Sequence, residues 1–300
     1  MSDLNHVLII ADIEGSSGCW EKEAAKFLNR KWYGACVEMT KDVNAVSKAL
    51  LDAGEFFVTV KDFHRTGFNI IAENLDPRIE LISGYKQGPV PGFGQVPKVF
   101  SVLFLGMHAA SGTSGFLAHT LTSRISRLVI NGKIWSELEL FSASLGPYGI
   151  RPVFFSGCPE ACRQAKNAIA GINVFPIDKS GHRHKFDAEK WRESLCRNAV
   201  DAIQNTHTAP FLPKNPFNAI VRFRDGKKVA DQISKRWGFV RKGAEIRIEA
   251  DNFHNLYMDL IRICYLTPFI EKMVPVGALA LYNLVGFAGL NFYHKKYRVW

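Results

Sequence analysis

A chain of 300 residues, 47% apolar and 22% charged, is long enough for one large core or two smaller lobes and is too apolar to be disordered. Lys and Arg outnumber Asp and Glu by 38 to 28, a net charge of +10, but no nucleic-acid motif accompanies the excess, which therefore reads as a solvated basic face rather than a nucleic-acid site. Six cysteines without a CxxC pair, and a start (Met1 to His6) without a basic or apolar targeting run, lead to the expectation of a reducing, cytoplasmic setting.

The first apolar run, residues 6–10, predicts a buried strand that ends at Asp12 and Glu14. Two carboxylates two residues apart on an extended chain point to the same side, beyond the carboxyl end of the strand, where open α/β sheets bind ligands. Gly15 to Gly18 form a polar turn that lets the backbone leave the sheet. Residues 21–53 show helical periodicity, with Val37, Val43, Val46, Leu50 and Leu51 near the 3.6 repeat. Residues 57–60 are a β-branched and aromatic strand followed by Asp62 and His64. The Gly/Pro-rich segment 88–97 reads as a loop at a surface or subunit contact. Residues 101–106 make a third strand with His108 at its end, and the small-residue loop 109–115 presents His119. Residues 126–130 predict a fourth strand reaching the tight-turn pair Asn131-Gly132, with a helix from about Lys133 that carries Glu137. Residues 152–157 predict the fifth strand.

Strands alternating with helices predict an α/β fold, a mainly parallel sheet with helices on both faces, plus a second α/β lobe. The expected division is a metal-binding core over 1–158, a second lobe of the same catalytic unit over 159–269, and an apolar C-terminal extension over 270–300. The second lobe carries a helix at 188–205, a Pro-rich connector at 210–216, and strands at 219–223 and 245–249. Its run of Arg222, Arg224, Lys227, Lys228, Lys235, Arg236, Arg241 and Lys242 is the most basic stretch.

Asp12, Glu14, His64 and His108 all fall at or just past strand ends, His119 lies on a glycine-rich loop, and Glu137 follows the fourth strand. Grouping three carboxylates without a cation is strongly unfavourable. Carboxylates and imidazoles without thiolate suit Zn²⁺, Mn²⁺ or a similar ion, and mixed sets with a shared carboxylate are what paired metals use. A hydrolytic metal site is the expectation.

These motifs, in order, resemble the DppA-type D-aminopeptidases, a family of zinc metallopeptidases: residues 11–15, 39–46, 62–64, 105–108, 115–120, 130–132 with 136–138, and the late segment 246–251. The resemblance implies that Asp12, Glu14, His64, His108 and Glu137 hold two zinc ions per chain and that His119 is the catalytic histidine. It implies an aminopeptidase of short peptides, with D-amino-acid amino termini, in a self-compartmentalising homo-oligomer, a decamer of stacked five-membered rings. The departures are Glu139, where the family has glycine, and residues 159–185, so the likeness carries the metal set and not the substrate-recognising part.

Two other classes fit parts of the sequence. One is a metal-dependent hydrolase of another amide or of a phosphoester, with the basic run as its anion pocket. The other is a non-catalytic membrane-associated scaffold using that run and the tail. Residues 273–293 carry no charge and are followed by Lys295, Lys296 and Arg298, a length within the range of a membrane helix. Pro275, Asn283, Asn291 and three glycines interrupt it. The tail therefore reads as soluble, packed against the body or a neighbouring chain rather than placed in a membrane.

Overall fold

The computed structural model describes residues 5–297 other than 55, 182 and 206, so the last three residues of the expected extension lie outside the described residues. In chain order the strands are β1 (His6–Ala11), β2 (Phe57–Asp62), β3 (Glu80–Ile82), β4 (Ser101–Met107), β5 (Ile125–Ile130), β6 (Lys133–Ile134), β7 (Arg151–Gly157), β8 (Asn173–Pro176), β9 (Phe217–Phe223), β10 (Val240–Lys242) and β11 (Glu245–Ala250). The helices are α1 (Arg30–Ala53), α2 (Glu137–Leu145), α3 (Pro159–Ala168), α4 (Ala188–Asn205), α5 (Lys227–Trp237), α6 (Phe253–Tyr265), α7 (Pro268–Met273) and α8 (Leu279–Tyr297).

Six strands form a parallel sheet in the order β3-β2-β1-β4-β7-β8. Leu8, Ile9 and Ile10 are wholly buried, as a central parallel strand covered on both faces requires. Each such side chain contributes roughly 1.5–3 kcal/mol by leaving water. Alternate residues of β1 feed different cores. Val7, Ile9 and Ala11 join Trp32, Met39, Val43 and Val46 of α1 and Leu195 and Ala199 of α4 on one face. Leu8 and Ile10 join α2, α3, α6 and the second sheet on the other. The expected α/β architecture is therefore present, with helices against both faces of the parallel sheet.

The segment 126–130 departs from expectation. It does not extend the parallel sheet but belongs to a second, antiparallel sheet ordered β10-β11-β9-β5-β6. The cause is local. Asn131 and Gly132 both adopt left-handed backbone and fold β5 directly back onto β6, so the helix expected from Lys133 starts only at Glu137. The Asn131 side chain donates to Pro216 O at 3.0 Å and accepts from Asn218 N at 2.8 Å, which fixes β9 beside β5. The chain then returns through β7, β8 and α4 to the first sheet, so residue 158 does not separate the two sheets.

Candidate metal centre

Three neighbouring parallel strands, β2, β1 and β4, end side by side, and each delivers a candidate ligand just past its carboxyl end. Asp12 and Glu14 follow β1, His64 follows β2, and His108 follows β4. The tips of β1 and β4 cross at backbone contact. Asp12 N donates to Leu105 O at 2.9 Å and Gly15 N to Gly106 O at 2.7 Å. A Cβ on Gly15 would lie 2.1 Å from Met107 O, and one on Gly106 would lie 2.2 Å from Asp12 O. Glycine is required at both positions because the strands touch there.

Glu137 arrives as the first residue of α2, whose start is closed by a capping box. Glu139 Oε2 accepts from Ser136 N at 2.8 Å and from Ser136 Oγ at 3.1 Å. This accounts for Glu139, the position where the sequence departs from the resembled family: it fixes the helix start that presents Glu137. Burial pushes the Glu139 carboxyl up to about 7. His119 comes from the loop between β4 and β5, tied back by His119 N donating to Ala109 O at 3.0 Å.

The six side chains converge. His64 Nε2 is 3.4 Å from Glu14 Oε1, His108 Nε2 is 3.4 Å from Asp12 Oδ2 and 3.5 Å from Glu137 Oε2, and His119 Nε2 is 3.9 Å from Glu14 Oε1. The rings of His108 and His119 stack with centroids 3.8 Å apart, 11° from parallel. Ligand atoms of Asp12, Glu14 and His108 lie within 4.8 Å of one another, as do those of His108, His119 and Glu137.

Each histidine has its other nitrogen occupied. His64 Nδ1 donates to Asn69 Oδ1 at 3.2 Å, His108 Nδ1 to Ala109 O at 3.1 Å, and His119 Nδ1 to Leu117 O at 2.9 Å. That pairing aims each Nε2 at the carboxylates, the arrangement found in metal-ligating histidines. His64 is further braced by a network that sequence reasoning did not identify. Asp62 accepts from the backbone of His64, Asn69 and Ile70 and from Asn69 Nδ2, while Asn69 Oδ1 also accepts from Trp32 Nε1 at 2.9 Å. Asp62 was legible as a residue just past a strand; Asn69 lies five residues past His64 in a loop without a pattern.

Burial dominates the electrostatics. It raises the Asp12 carboxyl well above the usual range, and the neighbouring Glu14 charge adds to the effect. Burial acts in the same direction on Glu14 and Glu137, but imidazoles reverse it: His64 and then His119 bring Glu14 well down, and His108 brings Glu137 down. His108 is raised by Glu137 and Asp12 against its own desolvation, whereas burial and the adjacent His108 lower His119. Glu14 Oε2 is buried without a hydrogen-bond partner, and His64 Nε2 makes none either. Buried carboxylates that are neither hydrogen-bonded nor matched in charge are costly unless a cation lies between them. The donor set, oxygen and imidazole nitrogen without thiolate, fits divalent first-row ions.

The basic run of the second lobe is partly neutralised within itself. Arg222 pairs with Glu245 at 3.1 Å, and Lys235 and Arg241 both face Asp231, at 2.8 and 3.5 Å.

An open parallel sheet with carboxylates and imidazoles gathered past its strand ends defines a metal-dependent hydrolase. Residues 6–260 match the family model Peptidase_M55, D-aminopeptidase, and the chain belongs to that family. It is thus a metal-dependent aminopeptidase, as the resemblance in its motifs implied. A D-aminopeptidase of Bacillus subtilis (strain 168) is 26% identical over 245 residues, covering 79% of this chain and 85% of the relative. Among solved structures, the Zn-dependent D-aminopeptidase DppA from Bacillus subtilis, described as a self-compartmentalizing protease, superposes with a TM-score of 0.77 at 22% identity, covering 86% of this chain and 96% of that one.

Proposed function

We propose that the protein is a zinc-dependent aminopeptidase of short peptides, including those with a D-residue at the amino terminus. The observation that carries this reading is the set of three histidines whose Nδ1 atoms are engaged and whose Nε2 atoms face the buried Asp12 and Glu14 and the partly buried Glu137. Asp12, Glu14, His64, His108 and Glu137 would hold two zinc ions. When bound, these supply a Lewis acid for the scissile carbonyl and an acidified water. A carboxylate oxygen at the same centre would accept from the substrate's free α-ammonium, which selects the chain end over an internal bond.

His119 acts in proton transfer. Its Nδ1 proton is committed to Leu117 O, and its lowered pKa keeps Nε2 free near neutral pH. That nitrogen can take the proton from the attacking water and return it to the leaving amine. We infer that the enzyme assembles as a homo-oligomer, in line with the self-compartmentalizing description of its structural relative. We place it in the cytoplasm, where its six free thiols stay reduced.

Hydrolysis of matched L- and D-amino-terminal di- and tripeptides, assayed beside elemental analysis of the protein, tests the reading. Metal-dependent release of amino-terminal D-residues supports it. Metal-loaded protein that cleaves phosphoesters and no peptide would overturn it.

A further inference from the structure

The tail is built inside out. From Met273 to Tyr293 there is no Asp, Glu, Lys or Arg, and, Leu290 and Tyr293 apart, the stripe of α8 that meets the body consists of small and polar residues. Asn283 brackets Tyr85, accepting from its N at 2.9 Å and donating to its O at 2.8 Å. Gly286 lies against Thr66 and Phe68, and Gly289 against Phe27. His294 shares a 2.8 Å hydrogen bond with Tyr33 OH and pairs with Glu73. The large apolar side chains point the other way. Phe269 is 72% exposed and Leu281 64%, and Met273, Leu284, Phe287 and Phe292 share that outward surface. An ordinary surface helix of a soluble protein has the opposite arrangement, whereas helices in lipid pack through small residues and hydrogen bonds and turn their bulk outward.

We propose that residues 268–297 seat the protein on an anionic lipid surface, lying in the plane of the interface with the outward apolar face in the acyl boundary. The segment Pro268–Tyr297 is long and apolar enough for a membrane, and only 17% of its most apolar window is buried, which excludes the role of a core helix. Its attachment to the body along 283–294 favours lying on the bilayer over spanning it. Charge marks the surface it fits. Lys272 stands exposed at one end and Lys295 and Lys296 at the other, with Arg30 stacked over Tyr297 at 5.7 Å beside them. The one acid in α7, Glu271, is bonded to Arg262. A second protein is a poorer match. Leu281, Leu284, Val285, Phe287 and Phe292 offer no hydrogen-bonding group, where protein interfaces use about one per 100–200 Å². The family match ends at residue 260, ahead of this segment. Taken alone, length and composition pointed to packing against the body or a neighbouring chain; one stripe of α8 does meet the body, and the direction in which the other bulky side chains face points to lipid.

Flotation of the full-length protein with vesicles of phosphatidylcholine, or of phosphatidylcholine with phosphatidylglycerol, tests this. Binding to the phosphatidylglycerol vesicles is expected, weakening with salt. Lys295→Glu with Lys296→Glu should reduce it by at least tenfold, because each lysine near such a surface contributes roughly fivefold. Leu281→Asp with Leu284→Asp should abolish it while leaving peptide turnover and thermal midpoint unchanged. Absence of flotation with either vesicle, or equal flotation with both, overturns the proposal. An oligomer that dissociates in the Leu281→Asp, Leu284→Asp protein with no vesicle binding by the parent overturns it too, and assigns the face to a second copy.

Discussion

The metal centre and the tail helix invert the usual distribution of polarity in opposite senses. Around Asp12, Glu14 and His108 the fold buries charge, with those three side chains 3–6% exposed. Along α8 it exposes hydrocarbon. In both places the polypeptide alone leaves a debt in free energy, and in both the remedy comes from outside the chain: cations in one case, a lipid surface in the other. The difference lies in rigidity. The centre hangs on three hydrogen-bonded strands, whereas α8 is held by one stripe of small residues and a few side-chain bonds.

The sharpest break in that comparison is Glu14→Ala, which removes a carboxylate facing both His64 and His119. Peptide turnover should fall to background together with bound zinc, read by elemental analysis and activity on one sample. His119→Ala should cut turnover by about 10²–10⁴-fold, the usual worth of a proton-transfer group, with metal content unchanged. Loss of metal in that variant would make His119 a ligand, a role its position beside His108 and Glu137 also permits. Asn69→Leu removes the acceptor behind His64 Nδ1, and a titration with chelator-buffered zinc should show affinity weakened by about 10–100-fold.

On the tail side, Gly286→Leu forces a side chain into Thr66 and Phe68, where even a Cβ would approach to 2.6–2.8 Å. Overpacking of this kind costs about 1–3 kcal/mol, so α8 should detach and become the first site of limited proteolysis, while turnover stays near that of the parent. The smallest effect concerns Lys61, whose buried amine donates to Gly84 O between the rings of Phe63 and Tyr85. Burial brings it down to about 8 from 10.5. The unfolded chain therefore binds this proton more tightly, so stability should fall as pH falls from about 10.5 to about 8 and level off below. Lys61→Met should flatten that part of the curve, measured by denaturant titration across the range.

Much of the core of this molecule could be read from its residues. Runs such as 7–10 and 102–105 are apolar throughout because parallel strands are covered on both faces, and chemistry-bearing residues stand where such strands stop. Asp12, Glu14, His64 and His108 come together for that reason, and His119 and Glu137 reach them from a loop and from the start of α2. The antiparallel course of 125–134 was harder to see, because a strand of that length looks alike in either sheet and the decision rests on Asn131 reaching Pro216 and Asn218, 85 and 87 residues away. Asn69 was invisible for a similar reason, since its value depends on meeting Asp62, His64 and Trp32 at once. The tail could be recognised as uncharged, but not which way its bulky side chains face. That depends on Asn283, Gly286 and Gly289 meeting surfaces contributed by residues 27, 66, 68 and 85.

The crossing of Gly15 and Gly106 has a consequence for how this enzyme can diversify. With main-chain atoms of β1 and β4 already in contact, the spacing between the Asp12 and Glu14 arm and the His108 arm is set by peptide groups rather than by side chains that selection could trade for larger or smaller ones. Drift cannot widen or narrow the gap gradually. New substrate preferences would have to arise around it, leaving the catalytic spacing as a fixed gauge.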